Sequence, residues 1–233
     1  MENTTVTESS LPEMRVKKYW GYFLIALIVP PILATFTINI IGEYVVSTPE
    51  QLKTRGLVAM LFHSLFSSIF LMIIAFEINK FDKHFIPLTS TKIRTIVLYG
   101  GLVFCLAKMI MYSIDFLGLE TSQFFTGIVN SNLELILGFI VICLLAPVFE
   151  EILYRGILFR ALNKSGFSAF TTILVSSTVF MAIHLQYGIV DLTVVFIFGL
   201  FFGWVRYKTN SLITPIVCHA LINTTSYIQI VFS

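Results

Sequence analysis

Residues 146–156 read APVFEEILYRG, which places two adjacent carboxylates and a guanidinium inside a long apolar run. On insertion scales a charge at the centre of a bilayer costs about 2.5–3.5 kcal/mol, so charges in such a run require a reason. On a helix, residues four apart share a face, whereas neighbours diverge by about 100°. The spacing therefore predicts that Glu151 pairs with Arg155 and that Glu150 points toward other partners.

The composition around this stretch is that of a membrane protein. The 233 residues are 57% apolar and 12% charged, whereas soluble domains are about 25% charged. The mean hydropathy is +0.89. A net charge of +2 is too small to favour a nucleic-acid partner, and no small-residue cleavage site follows a short apolar region near the N-terminus. We expect a multi-pass protein of the cell membrane whose first apolar run stays as a helix.

Seven apolar runs approach the length of about 20 residues that a helix needs to cross a bilayer. They predict an all-α bundle of seven transmembrane helices near residues 19–41, 56–76, 95–112, 133–162, 167–184, 192–207 and 212–232. No repeat or long linker divides the chain. We therefore expect a cytoplasmic tail over residues 1–18 and one transmembrane domain over residues 19–233, whose N-terminal helices occupy residues 19–112.

The positions of Lys and Arg predict the orientation, because these residues are retained on the cytoplasmic side. They cluster in alternate connections, at residues 15–18, 80–94, 160–164 and 206–208. The opposite connections hold mainly Asp and Glu, with Lys53 and Arg55 as the basic residues. The N-terminus is therefore expected in the cytoplasm and the C-terminus outside, and the Ile, Phe, Asn and Lys usage favours a bacterial source.

Three apolar helices carry polar residues at helical spacing. The motifs are EExxxR at residues 150–155, FxxxH at residues 180–184 and HxxxN at residues 219–223. At a rise of about 1.5 Å per residue, the three motifs reach compatible depths only if the fourth helix continues past Glu151 through residues 157–159. The sequence predicts that continuation.

These motifs, in this order on successive apolar helices, resemble those of the CPBP family, also called Abi, which includes CAAX prenyl proteases and bacteriocin-processing and bacteriocin-immunity proteins. The resemblance covers about residues 133–227 and implies that these four helices form a catalytic core. By motif position, it implies that Glu150 and His184 activate an attacking water. It likewise implies that His219 and Asn223 stabilise the oxyanion.

The residue types suit these roles. An apolar cavity disfavours the charged form of a carboxylate, which suits Glu150 to general base and acid chemistry. A nearby histidine can share the proton of the water, and an imidazole and an amide can donate hydrogen bonds to the developing oxyanion. Because Glu151 engages the charge of Arg155, this pair is expected to support the fourth helix structurally, and Phe180 is expected to pack against His184.

A zinc mechanism is the alternative chemistry. Glu150, His184 and His219 could bind zinc and leave a fourth position for water, as in catalytic zinc sites with three protein ligands. The chain lacks an HExxH motif, which would have favoured zinc. The sequence therefore names no certain cofactor and leaves these three residues as a possible metal site.

The leading prediction is an intramembrane endopeptidase that hydrolyses a peptide bond in a membrane-associated peptide or protein. One alternative, also implied by the resemblance, is a non-catalytic bacteriocin-immunity or scaffold protein of the same fold. A transporter is another, since buried Glu, Arg and His also occur in carriers, but internal symmetry and paired broken helices are not visible. Outside the motifs, His63 is expected to bond a neighbouring helix, and Gly199 and Gly203 are expected to allow close helix packing.

Overall fold

The computed structural model describes residues 10–45, 49–80, 91–121 and 132–232. Within these ranges the chain forms seven helices and no strand, which confirms the predicted all-α bundle. Six of the helices are regular: α1 (Ser10–Val45), α2 (Pro49–Asn79), α3 (Ile93–Phe116), α5 (Ala169–Ala182), α6 (Ile189–Thr209) and α7 (Ile213–Phe232). Helix α1 begins at Ser10, so residues 10–18 of the predicted tail are helical.

Helix α4 is continuous but alternates between α and π geometry. Its segments are Asn132–Gly138 (α), Phe139–Leu145 (π), Ala146–Glu151 (α), Ile152–Leu158 (π) and Phe159–Lys164 (α). The predicted continuation of the fourth helix past the two carboxylates is thus confirmed. In a π turn the hydrogen bonds run from residue i to residue i+5, and such turns are frequent at functional sites. The two carboxylates lie on the short α segment between two of these wider stretches.

The helices have the lengths and compositions of a multi-pass membrane protein. In the described part of the chain, five helices are long and apolar enough to cross a membrane, namely α1, α2, α3, α4 and α6. Helix α5 is apolar but has only 14 residues. It begins after Ser168, whose hydroxyl caps the first turn by accepting a hydrogen bond from the Thr171 amide. Helix α7 has 20 residues and is not among these five. The seven predicted helices are therefore present, and five of them meet the requirements of a membrane span.

Two apolar clusters form the core on either side of the three motifs. The first packs α1 and α2 against α4 and α5, and its members include Phe23, Leu71 and Phe180. The second packs α3 against α6 and α7, and its members include Val103 and Phe202. The three motifs lie where these two clusters meet.

Two glycines bring α5 and α6 together. A Cβ atom added at Gly199 would lie 3.2 Å from Cβ of Ser177, and one added at Gly203 would lie 3.1 Å from Cγ2 of Ile173. Both distances are tighter than ordinary packing contacts between carbon atoms. The close helix approach predicted from the glycine pair is confirmed.

Candidate active site

Glu151 and Arg155 form the ion pair that their spacing predicts. Nη1 of Arg155 lies 3.2 Å from Oε1 of Glu151, and both side chains are 0% exposed. Arg155 also donates from Nη2 to the Gly199 carbonyl of α6 at 2.9 Å. Its guanidinium lies 4.6 Å from the centroid of the Phe180 ring on α5, a cation–π distance. The pair therefore connects α4 to α5 and α6.

His219 of α7 lies between the two carboxylates. Its Nδ1 is 3.0 Å from Oε1 of Glu151, and its Nε2 is 3.8 Å from Oε2 of Glu150. A carboxylate paired with Arg155 can only accept, so Nδ1 is the donor in the first contact. The contact with Glu151 orients the imidazole so that Nε2 faces Glu150. The sequence assigned Glu151 to Arg155 alone and missed this second partner, since residues 151 and 219 are far apart in the chain.

The two carboxylates differ in access to solvent. The Glu150 side chain is 12% exposed and lines a cavity, whereas the Glu151 side chain is 0% exposed. This difference follows from the helix, because adjacent residues point in directions about 100° apart. Glu150 is therefore the carboxylate that can meet a substrate.

His184 lies just beyond the end of α5, in the turn that leads to α6. Its Nδ1 is 2.8 Å from the Phe180 carbonyl oxygen, and because a carbonyl only accepts, Nδ1 carries the proton. In the neutral ring, Nε2 then has a lone pair that can accept a proton. The Phe180 ring lies 4.9 Å from the His184 ring, so the predicted packing of the FxxxH motif is present.

Asn223 of α7 is held by the irregular backbone of α4. Its Nδ2 donates to the Ile142 carbonyl oxygen at 2.8 Å. The Ala146 amide bonds to the Val141 carbonyl in π register, and Pro147, five residues after Ile142, has no N–H to donate. The Ile142 carbonyl thus needs a donor from outside the helix. Asn223 has two amide hydrogens, of which this contact uses one.

A cavity of about 870 Å³ brings the motifs together, and Glu150, His184, His219 and Asn223 all line it. Tyr187 also lines the cavity, with its ring 5.5 Å from that of His184. Burial, and secondarily the charge of Glu150, raises the pKa of the Tyr187 phenol to about 12. The hydroxyl therefore keeps its proton near neutral pH and can donate.

Two aromatic contacts complete the wall around His219. The ring of Phe202 on α6 stacks on the imidazole with centroids 4.8 Å apart and planes at 22°. The Phe180 ring meets the same imidazole edge-on at 5.8 Å. The sequence did not single out Phe202, because an apolar residue in an apolar helix carries no local signal.

Comparison with known proteins supports the family resemblance. Residues 132–225 match the family model described as "Type II CAAX prenyl endopeptidase Rce1-like". The resemblance to the CAAX-protease family is confirmed over this segment. The Rce1-like segment, residues 132–225, contains all of the motif residues.

One relative from the curated proteins adds a weaker similarity. An uncharacterized 24.3 kDa protein of Escherichia coli is 31% identical over 127 residues, which are 53% of this chain and 55% of that protein. The chain therefore spans about half the length of this relative. No solved structure matches the chain.

Among the residues with described positions, no three His, Cys, Asp or Glu side chains converge as ligands of one ion. His219 donates Nδ1–H to Glu151, and His184 donates Nδ1–H to a backbone carbonyl. Zinc-binding histidines make the same contacts, because these leave Nε2 as the nitrogen that binds the metal. Glu150, His184 and His219 are therefore the residues that would hold a zinc ion, and the mechanism below is derived from the side chains alone.

Proposed function

We propose that the chain is an intramembrane endopeptidase that hydrolyses a peptide bond in a membrane-associated peptide or protein. The observation that supports this most strongly is the shared cavity: Glu150, His184, His219 and Asn223 come from two helices and the turn after α5, yet line one space. The match of this segment to an endopeptidase family points the same way.

In the proposed reaction, a water in the cavity gives a proton to Glu150, with His184 Nε2 sharing the hydrogen bond. The water oxygen bonds to the peptide carbonyl carbon, and the carbonyl oxygen becomes an oxyanion. When the C–N bond breaks, Glu150 returns the proton to the leaving nitrogen. The products are a carboxylic acid, which ionises, and an amine. General base and acid catalysis of this kind contributes about 10²–10⁴-fold.

His219 and Asn223 are the proposed oxyanion donors. Asn223 has a second amide hydrogen besides the one bonded to Ile142. His219 uses Nδ1 on Glu151, so it can donate from Nε2 only as the doubly protonated imidazolium. Glu151 and Arg155 are positioning residues in this scheme, because Glu151 sets the orientation of the imidazole.

The proposed location is the cell membrane, with the N-terminus in the cytoplasm. The name of the matched family, a prenyl endopeptidase, makes a prenylated CAAX peptide the first substrate to test. An unprenylated membrane peptide is the second, since the cavity lining gives no reason to require a lipid.

The test works without an identified substrate. Membranes of cells that express the wild-type chain or the Glu150→Gln variant at equal levels are compared for newly formed peptide N-termini. The proposal expects termini that are present with the wild type and absent with Glu150→Gln. Glu77→Gln, which alters an exposed carboxylate paired with Lys80, is the matched control and should behave as the wild type. Identical sets of termini in all three samples would refute the proposal.

The non-catalytic alternative predicts a different pattern. If the chain protects cells from a membrane-active peptide by binding alone, protection should survive Glu150→Ala. A protection phenotype that disappears with this variant supports hydrolysis, provided that the variant accumulates normally in the membrane.

A further inference from the structure

Helix α2 presents a polar strip to the cavity, although it lies outside the Rce1-like segment. The strip consists of His63, Ser64 and Ser67, all of which line the cavity. Residue 67 is four after residue 63 and three after residue 64, so it adjoins both on the same side of the helix. Leu71 extends this face and is apolar. None of the three polar residues belongs to a motif of the proposed mechanism.

The strip faces the α4 segment that carries the proposed catalytic carboxylate. The His63 ring meets the Phe149 ring edge-on, with centroids 5.6 Å apart and planes at 86°, and Phe149 immediately precedes Glu150. Ser64 is 2% exposed and Ser67 is 4% exposed. The α4 segment Ala146–Glu151 packs against α2 as well as against α7. Helices α2 and α7, which both contact the segment Ala146–Glu151, therefore both contribute polar side chains to the cavity.

The strip also lies at a side of the cavity that α3 closes weakly. In the described ranges, α3 packs chiefly against α7 and slightly against α6, and it has no comparable interface with α2. Both α2 and α3 nevertheless line the cavity, the latter with Ala107, Ile110 and Met111. A substrate that enters the cavity between these two helices passes α2, the helix that carries the strip.

A helical segment must unwind before one of its peptide bonds is cut in the membrane, because the N–H and C=O groups of a helix are hydrogen-bonded to one another. In a water-poor cavity each exposed main-chain group needs a new partner, since an unpaired one costs several kcal/mol. A hydroxyl both donates and accepts, and a neutral imidazole offers one donor and one acceptor. The neighbouring lining residues Ala26, Leu27 and Pro31 have no polar side-chain atoms.

We propose that the strip of His63, Ser64 and Ser67 binds the unwound main chain of the substrate and holds the scissile bond beside Glu150. The substrate class is a membrane-embedded peptide segment in extended form, recognised through its backbone N–H and C=O groups. This inference rests on the proposed endopeptidase function.

The test uses two fluorescence-quenched probes, a farnesylated CAAX peptide and the same peptide without the farnesyl group, with purified protein in liposomes. His63→Phe keeps an aromatic ring against Phe149 but removes the hydrogen bonds. It should raise KM about tenfold, the effect of a lost hydrogen bond of roughly 1.5 kcal/mol, with kcat within about twofold. His63→Gln should restore most of the loss. Ser67→Ala should raise KM, whereas Ser68→Ala, one residue away and outside the cavity lining, should not.

A substrate analogue separates binding from packing. Replacing one backbone amide of the probe by an ester removes a single N–H. For an amide that faces the strip, the ester and His63→Phe should not add, because both remove the same hydrogen bond. Additive effects at every amide position, or a fall in kcat with KM unchanged, would overturn the proposal.

Failure of the strip and failure of the endopeptidase function give different results. Glu150→Gln tests the function through loss of cleavage, and the same variant serves to measure the Kd of each probe by fluorescence anisotropy. If the wild type cleaves neither probe but His63→Phe weakens binding in the Glu150→Gln background, the binding role of the strip is supported and the endopeptidase function is refuted. If cleavage occurs and His63→Phe changes neither KM nor Kd, the binding role of the strip is refuted and the endopeptidase function is supported. Absence of both cleavage and binding would overturn the two together.

Discussion

Removal of Glu151 is the sharpest test of how the buried charges are arranged. Oxygen Oε1 of Glu151 accepts from Arg155 Nη1 at 3.2 Å and from His219 Nδ1 at 3.0 Å. Glu151→Ala therefore leaves a guanidinium that is 0% exposed without its carboxylate partner. The Gly199 carbonyl still accepts from Arg155, but it carries no negative charge to balance the cation.

The expected loss is large compared with the stability of a folded chain. Leaving one member of a buried ion pair unpaired costs about 3–5 kcal/mol, whereas folded proteins are stable by about 5–15 kcal/mol. At about 2–4 °C per kcal/mol for a chain of this size, Tm should fall by roughly 6–20 °C. Glu151→Gln keeps an acceptor oxygen and should cost less, about 1.5–3 kcal/mol. Replacing Glu151 and Arg155 together with Leu should recover most of the loss, because it removes both charges of the pair.

The assay is thermal unfolding of purified protein in mild detergent, together with the amount of protein in the membrane. Glu77→Ala is the control, because its ion pair with Lys80 has side chains 40% and 56% exposed and such pairs contribute about 0–1 kcal/mol. A Tm for Glu151→Ala within about 2 °C of the wild type would refute the reasoning. So would a double Leu variant no more stable than Glu151→Ala.

Three further predictions concern packing, backbone pairing and metal. Gly199→Ala should lower the free energy of unfolding by about 1–3 kcal/mol through overpacking, because the new Cβ would lie 3.2 Å from Cβ of Ser177. Gly101→Ala is the control, since a Cβ there would have no atom within 4 Å and should not destabilise the protein. Equal Tm values for the two variants would contradict this prediction. Asn223→Ala should lower the free energy of unfolding by about 1–3 kcal/mol, because the Ile142 carbonyl loses its hydrogen-bond donor. Adding Pro147→Ala should restore part of this stability by supplying a backbone N–H. Strictly additive losses in the double variant would contradict the pairing of Asn223 with Ile142. Chelation with EDTA should leave peptide cleavage unchanged. A loss of cleavage that zinc restores would show instead that the reaction depends on a metal.

The fold was largely predictable because its signals are local. Apolar run length predicted all seven helices, and the requirement for equal motif depth predicted that α4 continues beyond Glu151. The π segments were not predicted, because their cause is partly non-local. Pro147 removes a donor from the helix, but only Asn223, 81 residues away from Ile142, supplies the replacement.

The motifs predicted which residues form the candidate site, but they did not predict all of the contacts between these residues. Helical spacing separated Glu150 from Glu151 and paired the latter with Arg155, since both inferences need only residues on one helix. The contact of Glu151 with His219 depends on how α7 packs against α4. His63 carried no motif, and the sequence assigned it to helix bonding, whereas the structure places it in the cavity wall against Phe149.

The central claim is that Glu150 activates water for hydrolysis, and the rate of peptide cleavage by purified protein in liposomes tests it most directly. The substrate is a quenched peptide that spans a cleavage site found from the wild-type-dependent termini. Glu150→Gln should lower kcat by about 10²–10⁴-fold with little change in Tm, because the contact of this carboxylate with His219 Nε2 is long, at 3.8 Å. A folded Glu150→Gln protein that cleaves at more than about a tenth of the wild-type rate would contradict the claim.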